Sequence, residues 1–282
     1  MVKATIYFLT LFLIIILIFF AVSGLKSKKN NEGNRLTTEE TPQKTGNPNN
    51  GINNKIDNQA NINEKILATL KKEDLPKDVA NLKLTKLDVP VFKQEYIRSC
   101  EEASLRMVLG FYGLQTNDME IVKRVGYDPH PWDKKNNIWD DPDKMFVGSI
   151  DDSSKNGYGA FAQAIAPAAK TFGRDSESYF GVSEQFLAEQ IYSGHPVIVW
   201  GFFNSPPFVK YFWNTKDGKK ITAYRGEHTR VVVGVYGDET KPVGFLVDDP
   251  LTGEKEQYWS VGRLMTQMNM FGNLTNQAVV VR

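Results

Sequence analysis

Cysteine is almost missing from this sequence: Cys100 is the single thiol among 282 residues. An internal disulfide is therefore excluded. No cysteine follows the apolar amino-terminal segment, which also excludes a lipid-modified amino-terminal cysteine. A lone thiol serves either packing or chemistry, and packing is the commoner use. The residues around Cys100 must therefore decide between the two.

Excess charge of either sign is also missing. The formal net charge is +1, so no overall field favours nucleic acid as a partner. Aromatic residues are absent between Gly24 and Val91, and 11 asparagines occur between Asn30 and Asn63. Such a segment buries too little apolar surface to offset the entropy of ordering. Residues 25–81 are therefore predicted to be a disordered, asparagine-rich linker, within which a short helix can form at 65–72.

The first 24 residues have the composition of a membrane segment. Residues 6–22 are uncharged and almost all apolar, and about 17 such residues are the lower limit for spanning a bilayer. An uncleaved signal anchor is favoured over a cleaved signal peptide, because the cleavage site is only fair. We expect a single-pass membrane protein with an extracellular domain, or a secreted protein if the segment is cleaved. The lysines after the segment favour the opposite orientation statistically.

The folded body is predicted to span residues 82–282 and to begin with an edge strand at 82–91. Apolar residues at helical spacing predict helices over 99–113, 160–172 and 183–193. Apolar runs between turn residues predict strands over 196–203, 229–236, 244–248 and 277–281. Helices first and strands later indicate an α+β domain with an antiparallel sheet.

Cys100 is predicted to lie at the start of the first helix of this body. Ser99 and Glu102 fit a capping box, in which both side chains bond to backbone N–H groups at the helix start. The sulfur of Cys100 then meets free N–H groups and the positive end of the helix dipole. Both effects lower a thiol pKa and favour the nucleophilic thiolate. A packing cysteine is expected on the apolar stripe instead, so this position favours catalysis.

A nucleophilic thiol needs a base, and the sequence offers three histidines. His130 and His195 lie in loops that contain proline, and both are predicted to be ordinary loop residues. His228 begins an apolar strand, from which its ring can project into a cleft. A surface histidine on an edge strand is the alternative interpretation.

The strand after His228 offers two aspartates that could orient its ring. If residues 237–242 form a hairpin loop, Asp249 lies opposite Arg230, on the face of His228. A one-residue bulge would bring Asp248 to that face instead. An aspartate bonded to the second ring nitrogen fixes the tautomer of the base, as in a catalytic triad.

Several short blocks of the sequence resemble the C39-like peptidases and follow the same order. The opening blocks are Val89-Pro-Val-Phe-Lys-Gln94, Ser99-Cys100, Ala103-Ser104, Met107-Val-Leu109 and Tyr112-Gly113. The later blocks are Gly157-Tyr-Gly159, Gly194-x-Pro-Val-Ile-Val199, His228 with its apolar strand, and Val247-Asp-Asp-Pro250. The resemblance extends over essentially the whole predicted folded body.

The resemblance implies a papain-like fold, in which an N-terminal helical part carrying Cys100 packs on a C-terminal antiparallel sheet carrying His228 and Asp249. It implies that Cys100 is the nucleophile, His228 the base and Asp249 the third member. It also implies that Gln94 donates to the oxyanion, together with the backbone N–H of Cys100. Many family members have glycine after the cysteine, where this chain has Glu101. We expect Glu101 to point to solvent.

Three functions are compatible with these residues. The favoured one is hydrolysis of a peptide or isopeptide bond in a peptide or protein substrate, through an acyl-enzyme and without metal or organic cofactor. The second uses the same triad in an acyl transferase or a cell-wall amidase. The third is a catalytically silent cell-surface binding module that uses the aromatic residues at 208–213. The acidic turn at 140–143 is interpreted as solvated rather than cation-binding.

Overall fold

The structure is a computed structural model that describes residues 74–203, 210–269 and 276–282. The predicted membrane segment at 1–24 lies outside the described residues. So does the predicted linker up to residue 73, with its short helix at 65–72. Among the described residues, no helix is both long enough and apolar enough to span a membrane.

Six helices and twelve strands occur in the described part of the chain. The helices are α1 (Lys77–Ala80), α2 (Cys100–Phe111), α3 (Asp118–Val125), α4 (Ala162–Lys170), α5 (Glu184–Tyr192) and α6 (Val261–Met268). The strands are β1 (Leu84–Lys86), β2 (Tyr127–Asp128), β3 (Phe146–Gly148), β4 (Gly157–Gly159), β5 (Ser176–Tyr179), β6 (Val197–Phe202), β7 (Lys210–Asn214), β8 (Lys220–Tyr224), β9 (Glu227–Asp238), β10 (Lys241–Asp249), β11 (Glu254–Ser260) and β12 (Ala278–Val281). The predicted helices and strands of the body are present, although the edge strand is shorter than predicted.

A seven-stranded sheet is the centre of the fold. Its strands follow the order β11-β10-β9-β6-β12-β5, and β1 pairs with the far end of β9. Every pairing within it is antiparallel. The predicted α+β class with an antiparallel sheet is therefore confirmed. Strands β2, β3 and β4 form a small second sheet, and β7 pairs with β8 in a hairpin.

Apolar residues cover both faces of the large sheet, because alternate side chains of each strand point to opposite sides. On one face, Leu105 and Leu109 of α2 pack with residues of α3 and α4 against Val231. On the other face, residues of α5 and α6 pack against Val232. Val79 of α1 is buried in the first of these cores. The folded body therefore begins before the predicted boundary at residue 82.

The β9–β10 hairpin determines which aspartate faces His228. Its strands pair as far as Asp238 and Lys241, so the turn is shorter than the predicted loop. The register slips by one residue beside Val243 and slips back beside Val233. Because the two slips cancel, the inner end of the hairpin has the register predicted from the sequence.

Candidate active site

Cys100 is the first residue of α2, as predicted, but the helix is not capped as predicted. Ser99 is the N-cap residue, yet its side chain makes no capping bond. The Ser99 hydroxyl instead donates to Oδ2 of Asp118 at 2.7 Å. Glu102 is fully buried, and neither of its carboxylate oxygens has a hydrogen-bond partner among the described residues. The predicted capping box is therefore wrong, because Asp118 engages the hydroxyl and Glu102 packs inward.

The thiol of Cys100 contacts a buried carboxylate. Its Sγ donates to Oε2 of Glu101 at 3.0 Å, and Oε1 of Glu101 accepts from the backbone N–H of Ala160 at 2.8 Å. Glu101 is only 1% exposed, so the expectation that it points to solvent is wrong. Gly159 leaves room for the carboxylate: its φ is +130°, and a side chain there would collide with Oε1 of Glu101.

Glu227, the residue before His228, completes an acidic pocket around the thiol. One ligand atom from each of Cys100, Glu101 and Glu227 lies within 4.8 Å of the other two. Burial and the charges of Glu101 and Glu227 raise the pKa of Cys100 well above its usual value, against a backbone hydrogen bond from Thr229 that lowers it. The predicted lowering of the thiol pKa at the helix start is therefore wrong, because burial and two carboxylates outweigh it.

Replacing Glu101 by glutamine is expected to make the Cys100 thiol more reactive. Burial raises the pKa of Glu101 to about 7, so this carboxyl is increasingly charged above neutral pH and disfavours the thiolate there. Glu101→Gln removes that charge, and alkylation by iodoacetamide should accelerate by up to about tenfold, the effect of one pKa unit on the thiolate fraction. The ratio of variant to wild-type rates should increase as the pH rises through 7.

Glu102→Gln is the matched control for this measurement. Glu102 is the adjacent residue and is equally buried, but it makes no hydrogen bond to the sulfur. Its replacement should leave the alkylation rate nearly unchanged. An alkylation rate that stays constant or falls in Glu101→Gln would contradict the assigned role of this carboxylate. Both rates are measured in the presence of a chelator.

His228 and Asp249 lie together on adjacent strands. Nε2 of His228 is 2.8 Å from Oδ1 of Asp249, which also accepts from the backbone N–H of Leu251 at 2.8 Å. Oδ2 of Asp249 accepts from Nε of Arg230 at 2.7 Å. The guanidinium also donates to the carbonyl of Phe202 at 3.0 Å. Both oxygens of Asp249 are therefore held, and the carboxylate fixes the orientation of the imidazole.

Asp249 is ionised, and Asp248 lies in a different environment. Burial acts to raise the pKa of Asp249, but the charges of Arg230 and His228 outweigh it and lower the pKa well below its usual range. Asp248 accepts from the backbone N–H of Glu256 at 2.7 Å, and burial raises its pKa to about 6. Of the two aspartates that the sequence left open, Asp249 is the one in contact with His228.

Cys100 approaches the strand of His228 without bonding to its ring. The sulfur lies against Glu227 and the backbone of Thr229, the two neighbours of His228 in the chain. Oγ1 of Thr229 lies 3.0 Å from Oγ of Ser104 on α2, whereas the His228 side chain alternates toward the other face of β9. Within the described residues, no hydrogen bond joins the thiol to the imidazole. Direct contact therefore requires a shift of the start of β9 as well as a rotation of the Cys100 side chain.

Gln94 lies in the segment before α2, and its amide is already engaged. Its Nε2 donates to the carbonyls of Tyr96 at 2.8 Å and Ile97 at 3.0 Å. Its backbone N–H donates to the carbonyl of Pro250 at 2.8 Å, which ties this segment to the end of β10. An oxyanion would have to displace one of the two side-chain bonds. The oxyanion role of Gln94 stays a prediction.

The two other histidines have local partners. His130 is exposed, and its Nδ1 contacts the carboxylate of Asp128 in the same loop. His195 is half-buried, with Nδ1 3.4 Å from the hydroxyl of Tyr112. Both are loop residues, as the sequence predicted, which leaves His228 as the histidine beside the thiol-bearing helix start.

The acidic turn and the aromatic stretch have structural roles. Nζ of Lys219 lies 3.0 Å from Asp141 and 2.6 Å from Asp143. Asp141 is only 5% exposed, so the interpretation of the turn as solvated is wrong for this residue, whose charge is balanced by a lysine. Trp213 is 1% exposed and packs against Trp139, and Phe212 is exposed in the β7–β8 hairpin. Residues 204–209, including Phe208, lie outside the described residues. Trp213 is therefore part of the interior and does not belong to the aromatic surface predicted for residues 208–213.

Comparison with solved structures supports the fold. A Bacillus anthracis protein assigned to the C39-like peptidases is 22% identical with a TM-score of 0.60, over 71% of this chain and 98% of that chain. The peptidase domain of Streptococcus ComA, a bifunctional ABC transporter involved in a quorum-sensing pathway, is 18% identical with a TM-score of 0.39. The match covers 68% of this chain and 97% of that chain. A double glycine motif protease from an AMS/PCAT transporter, solved in complex with the leader peptide, is 16% identical with a TM-score of 0.37. The match covers 70% of this chain and 92% of that chain.

These comparisons differ in what they establish. The Bacillus anthracis likeness shows the fold alone, and the two likenesses with TM-scores below 0.5 add no support. None of the curated proteins matches this sequence. The family described as Peptidase_C39 like, however, matches residues 86–279, which is most of the folded body and includes Cys100, His228 and Asp249. The chain belongs to the Peptidase_C39 like family.

Proposed function

We propose that this protein is a cysteine peptidase that hydrolyses a peptide or isopeptide bond at the cell surface. Cys100 is the nucleophile, His228 the base, and Asp249 the group that orients the base. The observation that carries the proposal is the 2.8 Å contact between His228 and Asp249, next to the strand backbone on which the Cys100 thiol rests. Membership of a peptidase family supplies the class of reaction.

The proposed reaction begins when the Cys100 thiol leaves Glu101 and the start of β9 shifts, so that the imidazole of His228 turns toward the sulfur. Asp249 contacts Nε2 of the imidazole, so Nδ1 is the nitrogen that takes the thiol proton. The thiolate attacks the substrate carbonyl carbon, and the backbone N–H of Cys100 at the helix start stabilises the oxyanion that forms. Substrate binding must also displace the thiol from Glu101, so the resting enzyme is expected to react slowly with small electrophiles.

The remaining steps return the proton and release both products. His228 gives its proton to the departing amine as the C–N bond breaks, which leaves the acyl group as a thioester on Cys100. His228 then takes a proton from water, and the resulting hydroxide attacks the thioester. The C–S bond breaks, the carboxylic acid leaves, and the proton returns to the sulfur.

The same structure contains support for a second candidate, a catalytically silent binding module. The buried thiol donates to Glu101, and the pKa of Cys100 is raised, chiefly by burial; both features suppress nucleophilicity. An acyl transferase or cell-wall amidase with the same three residues differs from the peptidase only in its acceptor or substrate. Analysis of the reaction products distinguishes the peptidase from the acyl transferase and the amidase.

The proposed location rests on the amino-terminal segment, which lies outside the described residues. We propose that residues 1–24 hold the protein at the cell membrane as a single-pass anchor and that the peptidase domain faces outward. Protease treatment of intact cells should then degrade the folded domain. A domain that becomes accessible only after lysis would contradict the outward orientation.

Trapping of the acyl-enzyme tests the proposed chemistry. The full-length chain is mixed with a peptide substrate library and quenched in acid during turnover. The intact mass should increase by the mass of an acyl fragment, and peptide mapping should place a thioester on Cys100. Free acid as the final product indicates hydrolysis, and an amine adduct indicates transfer. Peptide binding without any adduct or product would establish the silent module instead.

A further inference from the structure

We propose that Cys100, Glu101 and Glu227 form a binding site for a divalent transition-metal ion of the Zn²⁺ type, and that the bound ion blocks the nucleophile. The binding site is a property of these three side chains alone. The regulatory consequence rests on the proposed peptidase function.

The three ligand atoms already lie near coordination geometry. The sulfur of Cys100 and one carboxylate oxygen each from Glu101 and Glu227 are within 4.8 Å of one another. Zinc bound at about 2.3 Å to sulfur and about 2.0–2.2 Å to oxygen holds neighbouring tetrahedral ligands roughly 3.5 Å apart. Small rotations of the two glutamate side chains are sufficient to close that difference. Three protein ligands leave the fourth position for water.

An unsatisfied buried oxygen marks this pocket as a candidate cation site. Oε1 of Glu227 is buried and has no hydrogen-bond partner among the described residues. The whole residue is only 9% exposed. Glu102, which follows Glu101 in the chain, has two buried oxygens without a hydrogen-bond partner among the described residues. No lysine or arginine in the described part of the chain forms an ion pair with Glu101, Glu102 or Glu227. Buried carboxylates without a positive partner must bind either protons or a metal ion.

The donor set selects the class of metal. A thiolate is a soft ligand, and together with two carboxylates it favours Zn²⁺ or a similar transition metal over Mg²⁺ and Ca²⁺, which prefer oxygen alone. Cys100 is 7% exposed and Glu227 is 9% exposed, so the pocket retains an edge through which an ion can enter. Binding displaces the thiol proton and any proton on the two carboxyls.

Metal binding and peptide hydrolysis compete for the same sulfur. A thiolate coordinated to zinc cannot attack a carbonyl carbon until the Zn–S bond breaks. In this state Glu101 binds the metal instead of the thiol proton, and His228 with Asp249 remains on its own face of β9. The ion therefore acts as a reversible inhibitor, and its removal returns a free thiol.

Titration of the chelator-treated, full-length chain with Cd²⁺ tests the site without any need for turnover. Coordination by Cys100 should produce a sulfur-to-metal charge-transfer band in the ultraviolet difference spectrum, on the short-wavelength side of the aromatic absorption, that saturates at one ion per chain. Cys100→Ser should lose the band. Glu227→Gln, which keeps the sulfur, should weaken binding by at least about tenfold, because even the loss of a group that only supports a ligand usually costs that much. Glu102→Gln is the matched control and should bind as the wild type does.

Activity is measured separately with Zn²⁺. Inhibition should follow the occupancy of the site, and a chelator should reverse it. No charge-transfer band, or a band unaffected by Glu227→Gln, would overturn the metal site even in an active peptidase. A normal band in a chain that never cleaves peptides would support the metal site and refute the peptidase function. Activity that persists at full occupancy would overturn the inhibitory role.

Discussion

Cys100→Ala is expected to lower kcat/KM for peptide hydrolysis by roughly 10⁶, the loss seen when the nucleophile of a triad hydrolase is removed. Alanine supplies no atom that can form the acyl-enzyme, so whatever rate remains comes from substrate binding and oxyanion stabilisation. The measurement is the initial rate on a fluorogenic peptide, with the purified full-length chain. Substrate affinity should change little, because the sulfur contacts the reacting carbonyl rather than the rest of the peptide.

Ser104→Ala is the control for packing. Ser104 lies one turn further along α2, is buried like Cys100, and is 3.0 Å from the hydroxyl of Thr229. Its loss should cost about 1 kcal/mol of stability through one hydrogen bond and leave most of the activity. If Ser104→Ala were as inactive as Cys100→Ala, the effect would reflect the packing of α2 on β9. Full activity in Cys100→Ala would end the proposal that this sulfur is the nucleophile.

His228→Ala is expected to reduce kcat by about 10²–10⁴, the usual contribution of a general acid–base group. The imidazole takes the thiol proton, protonates the leaving amine and activates water, so its loss slows both acylation and deacylation. Burial lowers the pKa of His228 against the raising effect of Asp249, so the neutral ring is the form present at pH 7. The wild-type rate should therefore fall only when the pH drops far enough to protonate this ring.

The chain provides two matched controls for His228→Ala. His130→Ala and His195→Ala remove the other two imidazoles, which lie in loops and have the local partners Asp128 and Tyr112. Both variants should keep near-wild-type kcat and the same acid limb of the pH profile. If His228→Ala retained that limb, another group would be the titrating base, and Glu101 with its pKa of about 7 is the first candidate.

Much of the site could be predicted from the sequence because it follows from local patterns. The helical spacing of apolar residues predicted α2, and strand alternation in the predicted hairpin register placed His228 and Asp249 on one face. The start of α2 at Cys100 was predicted correctly from a capping box that the structure does not contain. The choice between Asp248 and Asp249 could not be made with certainty, because bulges leave no clear signal in one sequence. The structure has two bulges in this hairpin, and they cancel before the aspartates.

The orientation of Glu101 could not be predicted, because it depends on a residue far away in the chain. The carboxylate turns inward because Gly159 has no side chain and the N–H of Ala160 offers a donor. Glu102 carried a clearer signal. It lies three and seven residues before Leu105 and Leu109, on the same helical face as the apolar stripe, and burial follows from that spacing.

The role of Arg230 in holding Asp249 was not predicted, although the sequence around Arg230 indicates that its charge needs a partner. A charged residue within an apolar strand requires a counter-charge when the sheet is covered on both faces. Asp249 is that counter-charge, and the pair is 2.7 Å apart and almost fully buried. Arg230 therefore contributes to the site indirectly, because it holds the carboxylate that contacts His228.

The paired slips in the β9–β10 hairpin have a consequence for how this region tolerates changes in length. Each strand has one unpaired residue, Val243 in β10 and Val233 in β9. Together they restore, at the aspartates, the strand register found next to the turn. Insertions at the tip between Asp238 and Lys241 lengthen only the turn and leave the aspartates in place. Deletion of Val233 alone would remove a bulge and leave Val247 opposite Val232, so Asp249 would keep its place. An extra residue between Val247 and Asp248 would instead exchange the orientations of Asp248 and Asp249 and remove the carboxylate from the imidazole. The tip of this hairpin is thus a suitable place for a tag or a loop graft, and its inner half is not.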